Sequence, residues 1–403
     1  MMDMVTTPAL TEEVIGLDHA HIVQTYKRPP LVLDRGEGVY LYDTDGNRYL
    51  DFVAGIAVQA LGHSDPGVVN AIQEQAGRLI HTSNLYHTEP SARLASHLTQ
   101  LSFANRVFFS NSGTEANEGA LKFARKYARA TSPNPNKTRL ICFDHAFHGR
   151  TMGALSMTPK EAYQNPFRPL LQDVTVAPFN HTQDLEALIT EEVCAVFLEP
   201  IQGEGGVHPA DMAFVKAIRE RCNEVNALLV FDEVQCGMGR TGDLWAHTFL
   251  GVTPDMMTLA KPLAAGLPIG AVLVTESVAS TLKPGDHGST FAGGPLVCHV
   301  AEYVLNRIAQ PAFLAHVREM GNYLRERLAE INSPHIQEVR GRGLMMGVQL
   351  DIEASGVVEG ALAEKLLLVG AGPNVVRLIP PLVIAPPQID EFAEAFTRVL
   401  SRL

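Results

Sequence analysis

Apolar residues along the chain fall into two rhythms. Short unbroken runs occupy 107–109, 140–143, 174–176, 193–198, 228–231 and 271–275. Runs of that length without polar alternation predict strands covered on both faces. Between them the spacing changes. Ala116, Ala120, Ala124 and Tyr127 recur three or four residues apart, as do Phe313, Val317, Met320, Leu324 and Leu328. That is the period of a helix with one buried stripe. Strand and helix taking turns over 100–275 predict an α/β fold with a mostly parallel central sheet. The flanks differ. Residues 31–53 read as a hairpin turning at Asp45-Gly46, and the C-terminal region mixes helices with short strands. The expected division is a large unit, 56–295, and a smaller α+β unit built from both ends, 1–55 and 296–403. The stretch TSPNPNKTR (131–139) reads as a surface loop.

Composition narrows the partners. The 403 residues are 46% hydrophobic and carry a formal charge of −12. An acidic chain offers no electrostatic footprint for nucleic acid or an anionic membrane. The longest apolar stretch, MTLAKPLAAGLPIGAVL (257–273), is broken by Lys261 and by prolines, so it does not read as a membrane span. The start, MMDMVTTPALTEEV, lacks the basic and apolar regions of a secretory leader. Five cysteines form no C-x-x-C pair. They read as buried free thiols, which suits a cytoplasmic protein.

Lys261 raises the chemical question. A lysine in apolar company either lays its stem across the surface and sends the ammonium to water, or is kept dry. Desolvation then lowers its pKa and leaves a nucleophilic amine, as a Schiff-base lysine requires. Asp232 follows the run 228–231 in LLVFDEVQCGMGRTG. In open α/β sheets the ligand crevice lies beyond the carboxyl ends of the strands. A carboxylate there caps a turn or holds a protonated heterocycle nitrogen, the condition under which pyridoxal phosphate acts as an electron sink. Val234, two residues on, faces the same side in an extended segment and could pack on a ring. In FFSNSGTEANEGALKF, Ser112 and Glu115 have capping-box spacing. The free N–H groups of that helix start attract a phosphate, and Gly113 permits close approach; an ordinary capped helix looks the same. In FDHAFHGR, Asp144, His145 and His148 read as plain hydrogen-bonding groups, because no further His or Cys cluster supports a metal. Phe147 could stack on a planar ring, and Arg150 could grip a carboxylate. Glu199 and Glu204 lie on a glycine-rich loop, and Arg377 stands alone among apolar residues. A buried arginine needs an anion, either a substrate carboxylate or a protein glutamate.

Seven blocks occur in one order: YLYDTDGNRYLDFVAGIAVQALGH, FFSNSGTEANEGALKFARKY, FHGRTMGAL, EPIQGEGGV, LLVFDEVQCGMGRTG, PDMMTLAKPLAAGLPIGAV and HGSTFAGGPL. With them the chain resembles the class III pyridoxal-phosphate aminotransferases, which have the type I fold of pyridoxal-phosphate-dependent transferases. Within that class it is most similar to the acetylornithine aminotransferases of arginine biosynthesis. The resemblance implies that Lys261 carries pyridoxal 5'-phosphate covalently and that Asp232 binds its ring nitrogen. Gln235 would approach the ring hydroxyl, and Phe147 and Val234 would sandwich the ring. Gly113 and Thr114 would bind the phosphate, with Ser112 close by. Thr290 would reach the phosphate of the partner subunit in a homodimer, with Ser289 near the substrate. Arg150 and Tyr26 would hold the amino donor's carboxylate. Arg377 would bind the α-carboxylate of 2-oxoglutarate and otherwise pair with Glu204. Ornithine aminotransferases tend to carry tyrosine where this chain has Ile56, and an aliphatic group there suits an N-acylated donor. The implied reaction moves the terminal amino group of N-acetylornithine to 2-oxoglutarate. The alternatives are another ω-aminotransferase, acting on ornithine, succinylornithine, 4-aminobutyrate or a carrier-linked lysine, an aminomutase, and a non-catalytic binding protein.

Overall fold

Seven strands form the central sheet of the computed structural model, which describes residues 7–403. The first six residues of the expected small unit lie outside the described residues. In space the strands run Arg106–Ser110, Gly270–Val274, Met256–Leu259, Leu228–Asp232, Val193–Leu198, Arg139–Phe143 and Val174–Ala177. All six runs predicted from the sequence are present. The seventh strand, Met256–Leu259, lies inside the apolar stretch around Lys261, where apolar residues continue on both sides of the lysine and blur the strand's end. Pairing is parallel except at Gly270–Val274, which is antiparallel to both neighbours.

Alternate residues of each strand feed two cores. Leu229 and Phe231 pack with Ile141, Phe143 and the helix Met212–Val225. Leu228 and Val230 pack with Leu140, Cys142 and the helix Gly113–Thr131. Both faces are therefore covered, which is why the runs are continuous. The same alternation carries position 232 to the side of the helix Gly113–Thr131. All five cysteines are buried free thiols.

The flanking sheets draw on both ends of the chain. Tyr40–Asp43 and Arg48–Asp51 form the expected hairpin, with Tyr40 opposite Leu50, but the stretch 31–53 also holds a third strand, Leu33–Glu37, antiparallel to Tyr40–Asp43. The Asp43 carboxylate fixes its turn by accepting the N–H groups of Asp45 at 3.0 Å and Asn47 at 2.8 Å. Leu366–Leu367 joins this sheet beside Arg48–Asp51. Another sheet combines Ile336–Arg342, Met345–Leu350, Val369–Gly370 and Val375–Leu378.

Two local features depart from the sequence reading. The segment 131–139 is an irregular surface turn only in part, because Lys137 is 3% exposed. Its ammonium donates to the carbonyls of Val225 at 2.7 Å and Glu191 at 3.2 Å, and so pegs the loop to the core. After the hairpin, Ala54, Gly55, Ile56 and Ala57 all have positive φ, 50°, 61°, 62° and 62°. A left-handed turn costs about 1–2 kcal/mol for each residue with a Cβ. It is held by Asp51, whose carboxylate accepts the N–H groups of Val53 and Ala54 and meets His63 at 2.7 Å.

Candidate active site

The carboxyl ends of the parallel strands converge on a cavity of about 380 Å³. Each end contributes a short segment to its wall. Residues 111–114 follow Arg106–Ser110, residues 147–150 follow Arg139–Phe143, and Glu199 follows Val193–Leu198. Asp232 ends its own strand, and Lys261 comes two residues after Met256–Leu259. The antiparallel strand offers its other end, so Ile269 completes the ring.

Lys261 borders this cavity and has no hydrogen-bond partner among the described residues. Burial lowers its pKa, opposed by the negative charges of Glu204 and Asp232. That makes the dry-amine alternative the one that the geometry supports. Across the cavity, Asp232 is held on both oxygens. Its Oδ2 accepts from Asn117 Nδ2 at 2.7 Å and meets His148 Nδ1 at 2.8 Å, and its Oδ1 accepts the Val234 N–H at 3.0 Å. Asn117 also donates to the His148 carbonyl, and its own oxygen accepts from Thr258. Burial opposes protonation of His148, but its bond to Asp232 and that residue's charge prevail and raise its pKa. Asn117 is a site residue that sequence reasoning missed, whereas His148 is the hydrogen-bonding group expected from the sequence, with Asp232 as its partner. Strand alternation puts position 232 on the side of the helix that carries Asn117, but nothing in the sequence singles that asparagine out.

The helix start is built as expected, with one difference. Ser112 Oγ accepts the Glu115 N–H at 3.3 Å, but the Glu115 carboxylate bonds the Asn111 N–H at 2.9 Å instead of closing back on Ser112. Gly113 is required there: a Cβ would stand 2.7 Å from a methyl of Val234. The first helical residues, Gly113 and Thr114, line the cavity, and their N–H groups have no intrahelical acceptors. The Thr114 hydroxyl bonds Thr151 Oγ1 at 2.9 Å and receives the Arg150 N–H at 3.2 Å.

Phe147 lines the cavity and donates its N–H to Glu199 at 2.9 Å. Burial pushes the Glu199 carboxyl up to about 7, against the lowering effect of His148. Arg150 lies at the rim with its guanidinium 3.4 Å from the Tyr163 ring centre, another contact that the sequence did not announce. Arg377 is buried beneath the cavity floor. It donates to Glu204 at 2.6 Å and to Gln235 at 3.0 Å, so the glutamate alternative for its anion is realised here. Besides Arg377, the expected substrate and phosphate residues Tyr26, Ser289 and Thr290 are not brought to the wall, and neither is Ile56. Tyr26 is 73% exposed, Thr290 is exposed, and Ser289 reaches it only through a 2.9 Å bond from Asn111. Of the candidate metal trio, Asp144 accepts the Phe179 N–H and His148 faces Asp232. Among the described residues no group of three metal-binding side chains gathers.

A family model supplies the class. The model for class-III aminotransferases matches residues 22–400, and the chain belongs to that family. Its similarity runs toward one group within the class. The mitochondrial acetylornithine aminotransferase of Alnus glutinosa is 50% identical over 98% of this chain and 89% of its own. The N-acetylornithine aminotransferase structure from Stenotrophomonas maltophilia is 39% identical, with a TM-score of 0.83, over 96% of this chain and 98% of that one. An ornithine aminotransferase structure from Toxoplasma gondii superposes with a TM-score of 0.93 at 33% identity, over 97% of this chain and 94% of that one.

Proposed function

We propose that this chain is a pyridoxal-phosphate-dependent aminotransferase that moves the terminal amino group of N-acetylornithine to 2-oxoglutarate, giving N-acetylglutamate semialdehyde and glutamate in arginine biosynthesis. One observation carries the chemistry: an unpartnered amine, Lys261, shares a cavity with a carboxylate, Asp232, whose orientation is fixed by three donors. The amino donor is supported by the acetylornithine aminotransferase relatives and by aliphatic Ile56, 40% exposed on the left-handed turn.

The residues present fit the cofactor. The absent Cβ at Gly113 leaves a cradle beside free helix N–H groups, which suits a phosphate. Oδ1 of Asp232 accepts one N–H and keeps acceptor capacity for a ring nitrogen. Phe147 and Val234 would take the ring faces, and Gln235 would approach the ring hydroxyl. When bound, pyridoxal phosphate supplies an aldehyde for the substrate amine and a ring that stores the electrons released at the substrate carbon. The protein supplies the rest. Lys261, its proton affinity reduced by burial, takes a proton from the carbon bearing the terminal amine and later returns one. Asp232 would hold the cofactor's ring nitrogen in its protonated form, and Asn117 and His148 keep Asp232 from turning away. Arg150 and Tyr26 grip the donor's carboxylate. Arg377 takes the α-carboxylate of 2-oxoglutarate after Glu204 has moved off it.

Three further elements belong to this reading. Residues 56–295 form the large unit, with 1–55 and 296–403 as the small one. Thr290 and Tyr26 lie outside the cavity of their own chain, so their roles call for a homodimer in which Thr290 serves the partner's phosphate. The site of action is the cytoplasm; the structure adds that no helix among the described residues is long and apolar enough to cross a membrane.

The test is a donor panel. Purified protein with pyridoxal phosphate is offered N-acetylornithine, succinylornithine, ornithine and 4-aminobutyrate, each with 2-oxoglutarate, and glutamate is measured. N-acetylornithine is expected to give the highest kcat/KM. Lys261→Ala is expected to lose about 10²–10⁴-fold or more in kcat. Preference for free ornithine sinks the donor assignment, and wild-type turnover by Lys261→Ala sinks the mechanism.

A further inference from the structure

Glu204 and Phe147 line a second cavity as well, of about 400 Å³, on the side away from Lys261. Its wall near Glu204 carries His145, His208 and Arg340. Neither imidazole has a hydrogen-bond partner among the described residues, although both residues line the cavity. Arg340 is already engaged: it donates to the Gly206 carbonyl at 2.9 Å, Glu338 at 2.7 Å and Gln349 at 3.0 Å. It is thus held in place with its charge balanced by Glu338, and the histidines are the free donors. The backbone brings Glu204 close to them. Gly205 and Gly206 follow it, Gly206 at a φ of 117°, and a Cβ on Gly206 would lie 2.9 Å from His208 Nε2.

The functional reading requires Glu204 to leave Arg377 when 2-oxoglutarate arrives. A carboxylate that gives up its 2.6 Å ion pair in a largely buried site needs another partner. We propose that the second cavity receives the Glu204 carboxylate at this step, with His208 as its hydrogen-bond partner and the anchored guanidinium of Arg340 behind it. This inference rests on the aminotransferase reading and names the device that lets one pocket accept two substrates. Burial and Arg340 lower the His208 pKa, with Glu338 opposing and His145 adding to the effect. An arriving carboxylate adds to the effect of Glu338 and meets an imidazole that has no hydrogen-bond partner among the described residues. The energetic consequence is specific. The apparent affinity for 2-oxoglutarate includes the work of moving Glu204, whereas a donor that leaves the Glu204–Arg377 pair closed is spared it.

The experiment measures the two half-reactions separately in single turnover. His208→Ala is expected to lower kcat/KM for 2-oxoglutarate on the order of tenfold, the loss of one hydrogen bond to a charged group. The same variant keeps the N-acetylornithine half-reaction within about twofold, and His208→Gln, which retains an N–H donor, recovers part of the loss. In a Glu204→Gln background, His208→Ala has no effect on 2-oxoglutarate, because no carboxylate needs receiving. His208→Leu is the second replacement should alanine impair folding. The inference is overturned by an equal loss in both half-reactions, by an effect that persists with Glu204→Gln, or by no effect at all. Wild-type protein that transfers nothing to 2-oxoglutarate overturns the functional reading instead.

Discussion

Adding one methyl group at Gly113 tests how the helix start and the ring-packing residue depend on each other. The new Cβ would stand 2.7 Å and 3.0 Å from the two methyls of Val234. Carbon atoms rest at about 3.5–4.0 Å, so Val234 must retreat by roughly 1 Å. It has little freedom to do so. Its N–H is tied to Asp232 at 3.0 Å, and a β-branched side chain has few χ1 alternatives. Overpacking of this kind costs about 1–3 kcal/mol. At 1.36 kcal/mol per factor of ten, Gly113→Ala should weaken pyridoxal phosphate binding by roughly 5- to 150-fold. The assay is an absorbance titration of apoprotein with the cofactor. Val234→Ala makes room for the methyl, so the double variant should recover most of the affinity relative to Gly113→Ala. A double variant as weak as Gly113→Ala would refute the reasoning, because the methyl would then be obstructing the phosphate itself.

Other consequences are open to direct measurement. The raised His148 pKa means that its bond with Asp232 contributes fully below about pH 6.5, the ordinary histidine value, and fades as pH rises through the folded value. In urea melts of apoprotein, His148→Gln should therefore lack the alkaline loss that wild type shows; identical slopes would disprove it. Tyr163→Leu removes the ring under Arg150, worth about 0.5–1 kcal/mol at an exposed site, and should raise the donor KM about two- to fivefold at unchanged kcat. Lys137→Met leaves the carbonyls of Val225 and Glu191 unpaired and should destabilise the fold by about 1–3 kcal/mol, read by denaturant midpoint, without changing KM for either substrate.

The sheet was legible because its inner strands are buried on both faces, which writes them as apolar runs, and the partly exposed edge strands Arg106–Ser110 and Val174–Ala177 keep enough apolar residues to be seen. Met256–Leu259 escaped because its apolar residues continue into the connection that carries Lys261. The residues with unusual chemistry for their surroundings, Lys261, Asp232 and Arg377, could be singled out from sequence, since a charge among apolar neighbours demands an explanation. Asn117 and Tyr163 could not. An asparagine on a helix and a tyrosine beyond a loop are ordinary in sequence, and their meaning comes only from the atom opposite. The half-closed capping box shows the same limit: spacing placed Glu115 near the helix start, but the choice between the N–H of Ser112 and that of Asn111 depends on the turn before it. Lys137 was hidden by its proline- and asparagine-rich company, which signals a turn and says nothing about a side chain folded inward.

The reversed strand at Gly270–Val274 has an implication for redesign. Because it runs back alongside Met256–Leu259, the connection 260–269 is clamped at both ends by adjacent rungs of one sheet. An inserted residue in that connection would shift the register or displace the amine, so length changes there should be poorly tolerated. The exposed residues Tyr26, Ile56 and Thr290 lie on segments outside the strands of the central sheet and carry no such clamp. New donor preferences are best sought by grafting in those segments, with the lysine connection left at its present length.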